Sequence, residues 1–181
     1  MIGTLTLKDV PKRVVAAVFL MCGGIVFLTN SYAWHFGAFA MDMRQNLGIM
    51  GIAIACTVLV VVLHEGLHGV AFKHFGGNVS FGVKWKSKWG PTPWASSSKM
   101  FPRVQSQAIA LAPQILTIGL LVVFLAGDIT VTTRWLCLVL AGMNLCGGFF
   151  DMYVAKWLSR FDRECLVKDT QDGVQVFAPI E

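Results

Sequence analysis

The sequence predicts an all-α membrane protein: four transmembrane helices, with a small cytoplasmic-side β-hairpin between the second and the third. Three observations predict it. Hydrophobic residues make up 55% of the 181 and charged ones only 14%, with a mean hydropathy of +0.64, whereas a soluble domain carries about 25% charged residues. The apolar residues are gathered in four runs of membrane length. The Lys and Arg residues lie between those runs in an alternating pattern, as the positive-inside rule expects. A single multi-pass domain over residues 1–181 follows, with spans at about 14–30, 47–75, 104–126 and 135–158 and a polar tail over 159–181.

Met1–Arg13 is short and polar, with Lys8, Lys12 and Arg13. The run from Val14 to about Asn30 has the basic start and apolar middle of a signal peptide, and Ala38-Phe39-Ala40 resembles a cleavage site. That site lies too far beyond the apolar run, so an uncleaved first span is expected. Ser31–Asn46 reads as a loop, with Tyr32, Trp34 and His35 suited to the membrane interface. Asp42 and Arg44 read as a solvated pair. The second run, Leu47 to about Phe75, is apolar all round as far as Leu63, and Gly76-Gly77 should stop its helix.

Asn78–Arg103 is the one long polar segment. Val79, Phe81, Val83 and Trp85 alternate with Ser80, Gly82, Lys84 and Lys86, a period of two that predicts a strand. Gly90-Pro91 marks a turn, and Thr92–Ser97 should return as the second strand. Trp85, Trp89 and Trp94, interleaved with Lys84, Lys86 and Lys88, suit lipid headgroups. Val104–Ala126 is the third span; Pro113 inside it should kink the helix or free a carbonyl. Gly127–Thr133 is an outer turn, and Trp135 to about Leu158 is the fourth span.

Thirteen of the fifteen Lys and Arg residues fall before the first run, between the second and third, or at and after the end of the fourth. The expected outer loops hold only Arg44 and Arg134. Both termini are therefore expected in the cytoplasm, with the chain in the cell membrane. The net charge of +5 is not arranged as a nucleic-acid-binding face. No Gly-rich phosphate loop and no basic–aromatic interleaving along a helix is present, so the lipid bilayer is an expected partner and nucleic acid is not. Five cysteines, an odd number with no C-x-x-C spacing and four of them in apolar runs, read as small buried hydrophobes and one cytoplasmic thiol.

Toward the far end of the second run lies His64-Glu65-Gly66-Leu67-His68, an H-E-x-x-H pattern. On a helix the two histidines share one face, about 6 Å apart at Cβ, which lets both imidazoles reach one zinc ion at about 2.0–2.1 Å. Glu65 lies beside that position, where it can accept a proton from water. Ionisable groups inside a membrane cost about 2.5–3.5 kcal/mol each. Three within five residues need compensation, and a metal supplies it.

A catalytic zinc site needs a third protein ligand. His74 stands ten residues after His64, but Ala71 occupies the place where a turning glycine would be needed. If the helix continues, His74 lies about 9 Å beyond His68 along the axis. Cys146 is a second candidate, five residues from Asp151 and hence on a different face. Asp151 is favoured. It is the single carboxylate in the fourth span, and it precedes Lys156 by five residues as His68 precedes Lys73. With both lysines at the inner interface, both residues lie about 7.5 Å inside it. Asn144 falls on the same face as Asp151, about 10 Å deeper. Gly142, Gly147 and Gly148 thin this helix for a close neighbour.

An H-E-x-x-H near the inner end of one span, with Asn144 and Asp151 on a later one, resembles the site-2 protease group of intramembrane zinc metalloproteases. The layout is closer still to a bacterial family of small four-span membrane proteins described as "putative zincin peptidase", a domain of unknown function. The likeness covers the H-E-x-x-H, Phe81-Gly82-Val83-Lys84-Trp85, Leu111-Ala112-Pro113, and Asn144 through Asp151. In the site-2 group the late motif is Asn-x-x-Pro-x-x-x-Leu-Asp-Gly. Here Gly147 stands in place of the Pro, Asn144 and Asp151 are one residue closer, and Met152 follows the Asp.

The resemblance implies zinc and peptide hydrolysis. The resulting expectation is a zinc metallopeptidase with His64, His68 and Asp151 as metal ligands and Glu65 and Asn144 as catalytic residues. It would act on membrane or membrane-proximal protein substrates. A zinc-bound membrane scaffold or chaperone without activity, and a metal-transport or sensing protein, are the alternatives from other classes.

Overall fold

Backbone groups in lipid must be satisfied within their own segment, so a run apolar on every side becomes a helix. The computed structural model, which describes residues 1–6, 9–37, 42–85, 91–170 and 173–179, shows this for each run. Helix α1 is Lys12–Phe36 and α2 is Met43–His74. The third run is divided into α3, Arg103–Leu111, and α4, Gln114–Leu125; the fourth into α5, Val131–Gly147, and α6, Phe149–Leu158. Three stretches (α1, α2, and α3 with α4) are long and apolar enough to cross a membrane, and a fourth if α5 and α6 form one span. Large side chains such as Leu20, 78% exposed, and Leu125, 76% exposed, face outward from them, where lipid and not water is the compatible solvent.

Two expectations for the loop after α1 are corrected. Tyr32, Trp34 and His35 belong to the helix, because nothing before Gly37 interrupts it; Gly37 takes a positive φ of 69° and ends it. Asp42 does not pair with Arg44. Its Oδ1 accepts the Gln45 backbone N–H at 2.8 Å, capping the start of α2. Lys8, Ala38–Ala40, Lys86, Lys88, Trp89 and Gly90 of the expected turn lie outside the described residues.

The fold class is also corrected, since the protein is not all-α. The anticipated hairpin is present, β2 (Ser80–Lys84) pairing antiparallel with β3 (Thr92–Ser96). A second sheet of four strands was not anticipated: β1 (Gly3–Thr6), β4 (Phe101–Pro102), β5 (Leu166–Thr170) and β6 (Gly173–Phe177), in the order β1-β6-β5-β4. Its reason is apolar alternation. Leu5, Val167, Val174 and Val176 are buried in one cluster with Val154 and Leu158 of α6, so the tail after α6 has a core of its own to cover.

The chain divides into two compact units. The first comprises Met1–Pro11, Leu63–Pro113 and Gly148–Glu181, with both sheets, the end of α2, α3 and α6. In it the Arg103 guanidinium donates to the Phe161 carbonyl at 2.6 Å, and the Gln107 amide donates to the Ala155 carbonyl at 2.8 Å, tying α3 to α6 and the turn after it. Lys99 donates to the Phe75 and Gly76 carbonyls at 2.8 and 3.3 Å, where α2 ends. A cation on these free carbonyls also meets the negative end of the helix dipole.

The second unit comprises Lys12–Val62 and Gln114–Gly147. Ala33, Ala53 and Trp135 are buried together there. Gly142 of α5 leaves space that the Ile25 side chain of α1 fills, as thinning by glycine predicts, whereas a Cβ at Gly147 would meet nothing within 4 Å.

Replacing Lys99 by Met should lower stability by about 0.3–1 kcal/mol, a fall in the unfolding midpoint of about 1–4 °C for a chain of this length. Thermal unfolding of the detergent-solubilised variant beside wild type measures it.

Candidate metal centre

The centre lies in the first unit. His64 and His68, one turn apart on α2, are each 9% exposed, with ring centroids 5.1 Å apart. Asp151 sits in the first turn of α6, just after Gly148 separates that helix from α5. Its Oδ2 lies 3.1 Å from His64 Nε2 and 3.5 Å from His68 Nε2. One ligand atom from each of the three falls within 4.8 Å of the others, and among the described residues this is the group of His, Cys, Asp and Glu able to hold a metal ion. Ligands at 2.0–2.1 Å from a tetrahedral ion stand roughly 3.3 Å apart, so the spacing fits zinc.

The backbone decides which nitrogen of His68 faces Asp151. Ile109 is four residues before Pro113, and proline has no N–H to give its carbonyl. The carbonyl takes a 3.3 Å bond from the Ala112 N–H in its place, and it also accepts the His68 Nδ1–H at 2.9 Å. In neutral His68 the proton is therefore on Nδ1, and Nε2 presents a lone pair. That lone pair faces a carboxylate oxygen, itself an acceptor. Two acceptors at 3.5 Å require a cation between them, either a proton or a metal ion.

Glu65 does not face this point alone. Its carboxylate accepts the backbone N–H of Ala95 on β3. The register explains why that N–H is available. Val83 lies opposite Pro93, which has no N–H, and Phe81 lies opposite Ala95 two residues on. These are the non-hydrogen-bonded pairs of the ladder, so the Ala95 amide points away from β2. The open edge of β3 thus runs past Glu65. Gly69, next to His68, makes room for the Phe81 ring of β2.

The other sequence candidates lie elsewhere. His74 is the exposed last residue of α2, its ring against Phe75 at 4.9 Å. Cys146 has its sulfur 2.6 Å from that of Cys22. Asn144 belongs to the second unit, where it is 2% exposed and its amide donates to Thr117 Oγ1 at 2.8 Å.

One further residue near the centre stands outside the sequence expectations. Asp169 of β5 is two residues after buried Val167, hence on the same face of the sheet. Its carboxyl is within electrostatic reach of His68, Asp151 and Glu65, and burial pushes its pKa up to about 7. The detectable signal was the alternation of Val167, Asp169, Val174 and Val176 on either side of Asp172-Gly173, which predicts a hairpin with an acid on its inner face.

A family model described as "Putative zincin peptidase" matches residues 57–166, which include both histidines, Glu65 and Asp151. The chain belongs to that family. It is also 27% identical over 130 residues to an "Uncharacterized 24.7 kDa protein in gap 5'region" of Pyrococcus woesei, a match covering 72% of this chain and 56% of the relative. The chain thus spans about half the length of the curated relative it matches. No solved structure matches it.

Replacing Pro113 by Ala restores an N–H that competes for the Ile109 carbonyl. Zinc affinity, measured by competition with a chromophoric chelator, should fall about 10–100-fold, the usual loss when an outer partner of a ligand histidine is removed. A second expectation concerns pH. Asp169 holds its proton up to about pH 7 in the fold but only to about 3.8 when unfolded. Stability from this group therefore falls as pH rises between those values and is level above them. In chelator-treated protein, Asp169→Asn should gain on wild type in unfolding midpoint between pH 5 and pH 8; a constant offset would contradict this.

Proposed function

We propose that the chain is a zinc-dependent metallopeptidase hydrolysing peptide bonds of membrane or membrane-proximal protein substrates. The observation that carries the proposal is the convergence of His64 Nε2 and His68 Nε2, on the helix that also carries Glu65, with Asp151 Oδ2 of α6, all within 4.8 Å. Zinc bound there would supply a Lewis acid that polarises the scissile carbonyl and makes water more acidic.

The chain's own residues supply the rest. Glu65 takes a proton from the attacking water and returns it to the departing amine. The Ala95 N–H of β3 faces the Glu65 carboxylate and helps to orient it. The Ile109 carbonyl keeps the His68 ring in one orientation and one tautomer. A helical substrate must unwind first, because its carbonyls are already engaged. The freed strand can then pair with the hairpin by edge addition, and the open edge of β3 runs beside Glu65. An oxyanion role for Asn144 would require its amide to exchange Thr117 for the substrate.

We place this chemistry in the cell membrane with both termini in the cytoplasm, on the strength of the Lys and Arg asymmetry and the apolar helices. The resemblance to the site-2 protease group supports the same class of reaction.

The test is hydrolysis of a quenched fluorescent peptide library by zinc-loaded protein in micelles, with Glu65→Gln beside wild type. The variant should keep its zinc and lose activity by about 10²–10⁴-fold, the usual contribution of a general base. Equal turnover by both proteins would remove Glu65 from the mechanism.

A further inference from the structure

Two thiols in the second unit are arranged for a reaction that the proposed hydrolysis does not use. Cys22 of α1 and Cys146 of α5 place their sulfurs 2.6 Å apart, and both are free. A disulfide is 2.03–2.05 Å long, so the pair stands about 0.6 Å from bonding distance. The approach is built into the helices. Ile25, three residues after Cys22, occupies the space that Gly142, four residues before Cys146, leaves empty. A side chain at 142 would push the two helices apart at this level.

The surroundings choose the oxidant. Along its own helix Cys22 lies about 14 Å from Arg13, and Cys146 about 18 Å from Arg134. Both are inside apolar helices of membrane length or of a candidate bent span. A hydrocarbon core of about 30 Å keeps charged thiols such as glutathione away from such depths. A lipid-soluble oxidant meets no such barrier.

We propose that Cys22 and Cys146 are a disulfide-forming site, oxidised by a lipid-soluble quinone. The two S–H bonds break and one S–S bond forms; two electrons and two protons pass to the quinone, which leaves as the quinol. The product links α1 to α5 and closes a loop of chain that contains His64, Glu65 and His68. This site does not depend on the peptidase reading.

The experiment uses the full chain in lipid nanodiscs, reduced, freed of reductant and kept anaerobic, with decylubiquinone as the oxidant. Afterwards the protein is denatured and its thiols are tagged with maleimide–polyethylene glycol. Reduced wild type carries five tags, one per cysteine. Quinone should bring it to three, with one quinol formed per chain, and phosphine reductant should restore five. Cys22→Ala and Cys146→Ala should each show four tags with or without quinone. Cys137→Ala should pass from four to two. The oxidised wild type should also unfold at a higher temperature than the reduced one. Five tags retained in quinone-treated wild type, or a pair still lost in Cys22→Ala, would overturn the proposal. Peptide mass spectrometry that finds a different cysteine pair joined would overturn it equally.

Discussion

Two imidazole nitrogens and one carboxylate oxygen meet at a point where the His68 tautomer leaves a lone pair facing an acceptor. Electrostatics does not tolerate that meeting without a positive charge. Much of the first unit can be understood as the frame for it. α2 carries the histidines on one face, and Lys99 holds the Phe75 and Gly76 carbonyls just past its end. Gly148 separates α6 from α5 three residues before Asp151, which places the carboxylate in a first turn. Pro113 gives no N–H to the carbonyl that fixes His68. Each device is cheap by itself, and together they set a geometry that a metal can complete.

The same unit adds groups from strands to that point. β3 is a two-faced element: one edge pairs with β2, and the other gives the Ala95 amide to Glu65. β5 carries Asp169 on its buried face. The Ala95 amide and the Asp169 carboxyl thus come from strands to the helix groups His64, Glu65, His68 and Asp151. The second unit is different in kind. Its helices expose apolar side chains outward and bury a few small or polar contacts, Gly142 against Ile25 and Asn144 against Thr117. The Cys22–Cys146 contact belongs to that second architecture.

How much could be read from the sequence depended on whether the signal was local. The helices were legible because apolar runs of membrane length have one stable backbone solution. The H-E-x-x-H was legible because its spacing is a property of one helix, and Asp151 because a lone carboxylate in an apolar run stands out. Pro113 was legible as a missing N–H, but the bond from His68 to the Ile109 carbonyl was not, since the two residues are 41 apart. The four-stranded sheet was not seen. Its strands are short, come from both ends of the chain, and pair by non-local register that composition does not reveal. The alternation at Val174 and Val176 was weaker than the general polarity of the tail. The cap at Asp42 is not legible, because it depends on the N–H of a residue three further on. Nor is the Cys22–Cys146 approach, because a contact across 124 residues leaves no mark on cysteine spacing.

X-ray absorption at the zinc edge, on the full chain loaded with one equivalent of zinc, tests whether His64, His68 and Asp151 together bind the metal. The expected coordination shell holds nitrogen and oxygen only, with the multiple-scattering signature of two imidazoles, reduced to one in His64→Ala. A sulfur neighbour in that shell, or two imidazoles still present in His64→Ala, would contradict it.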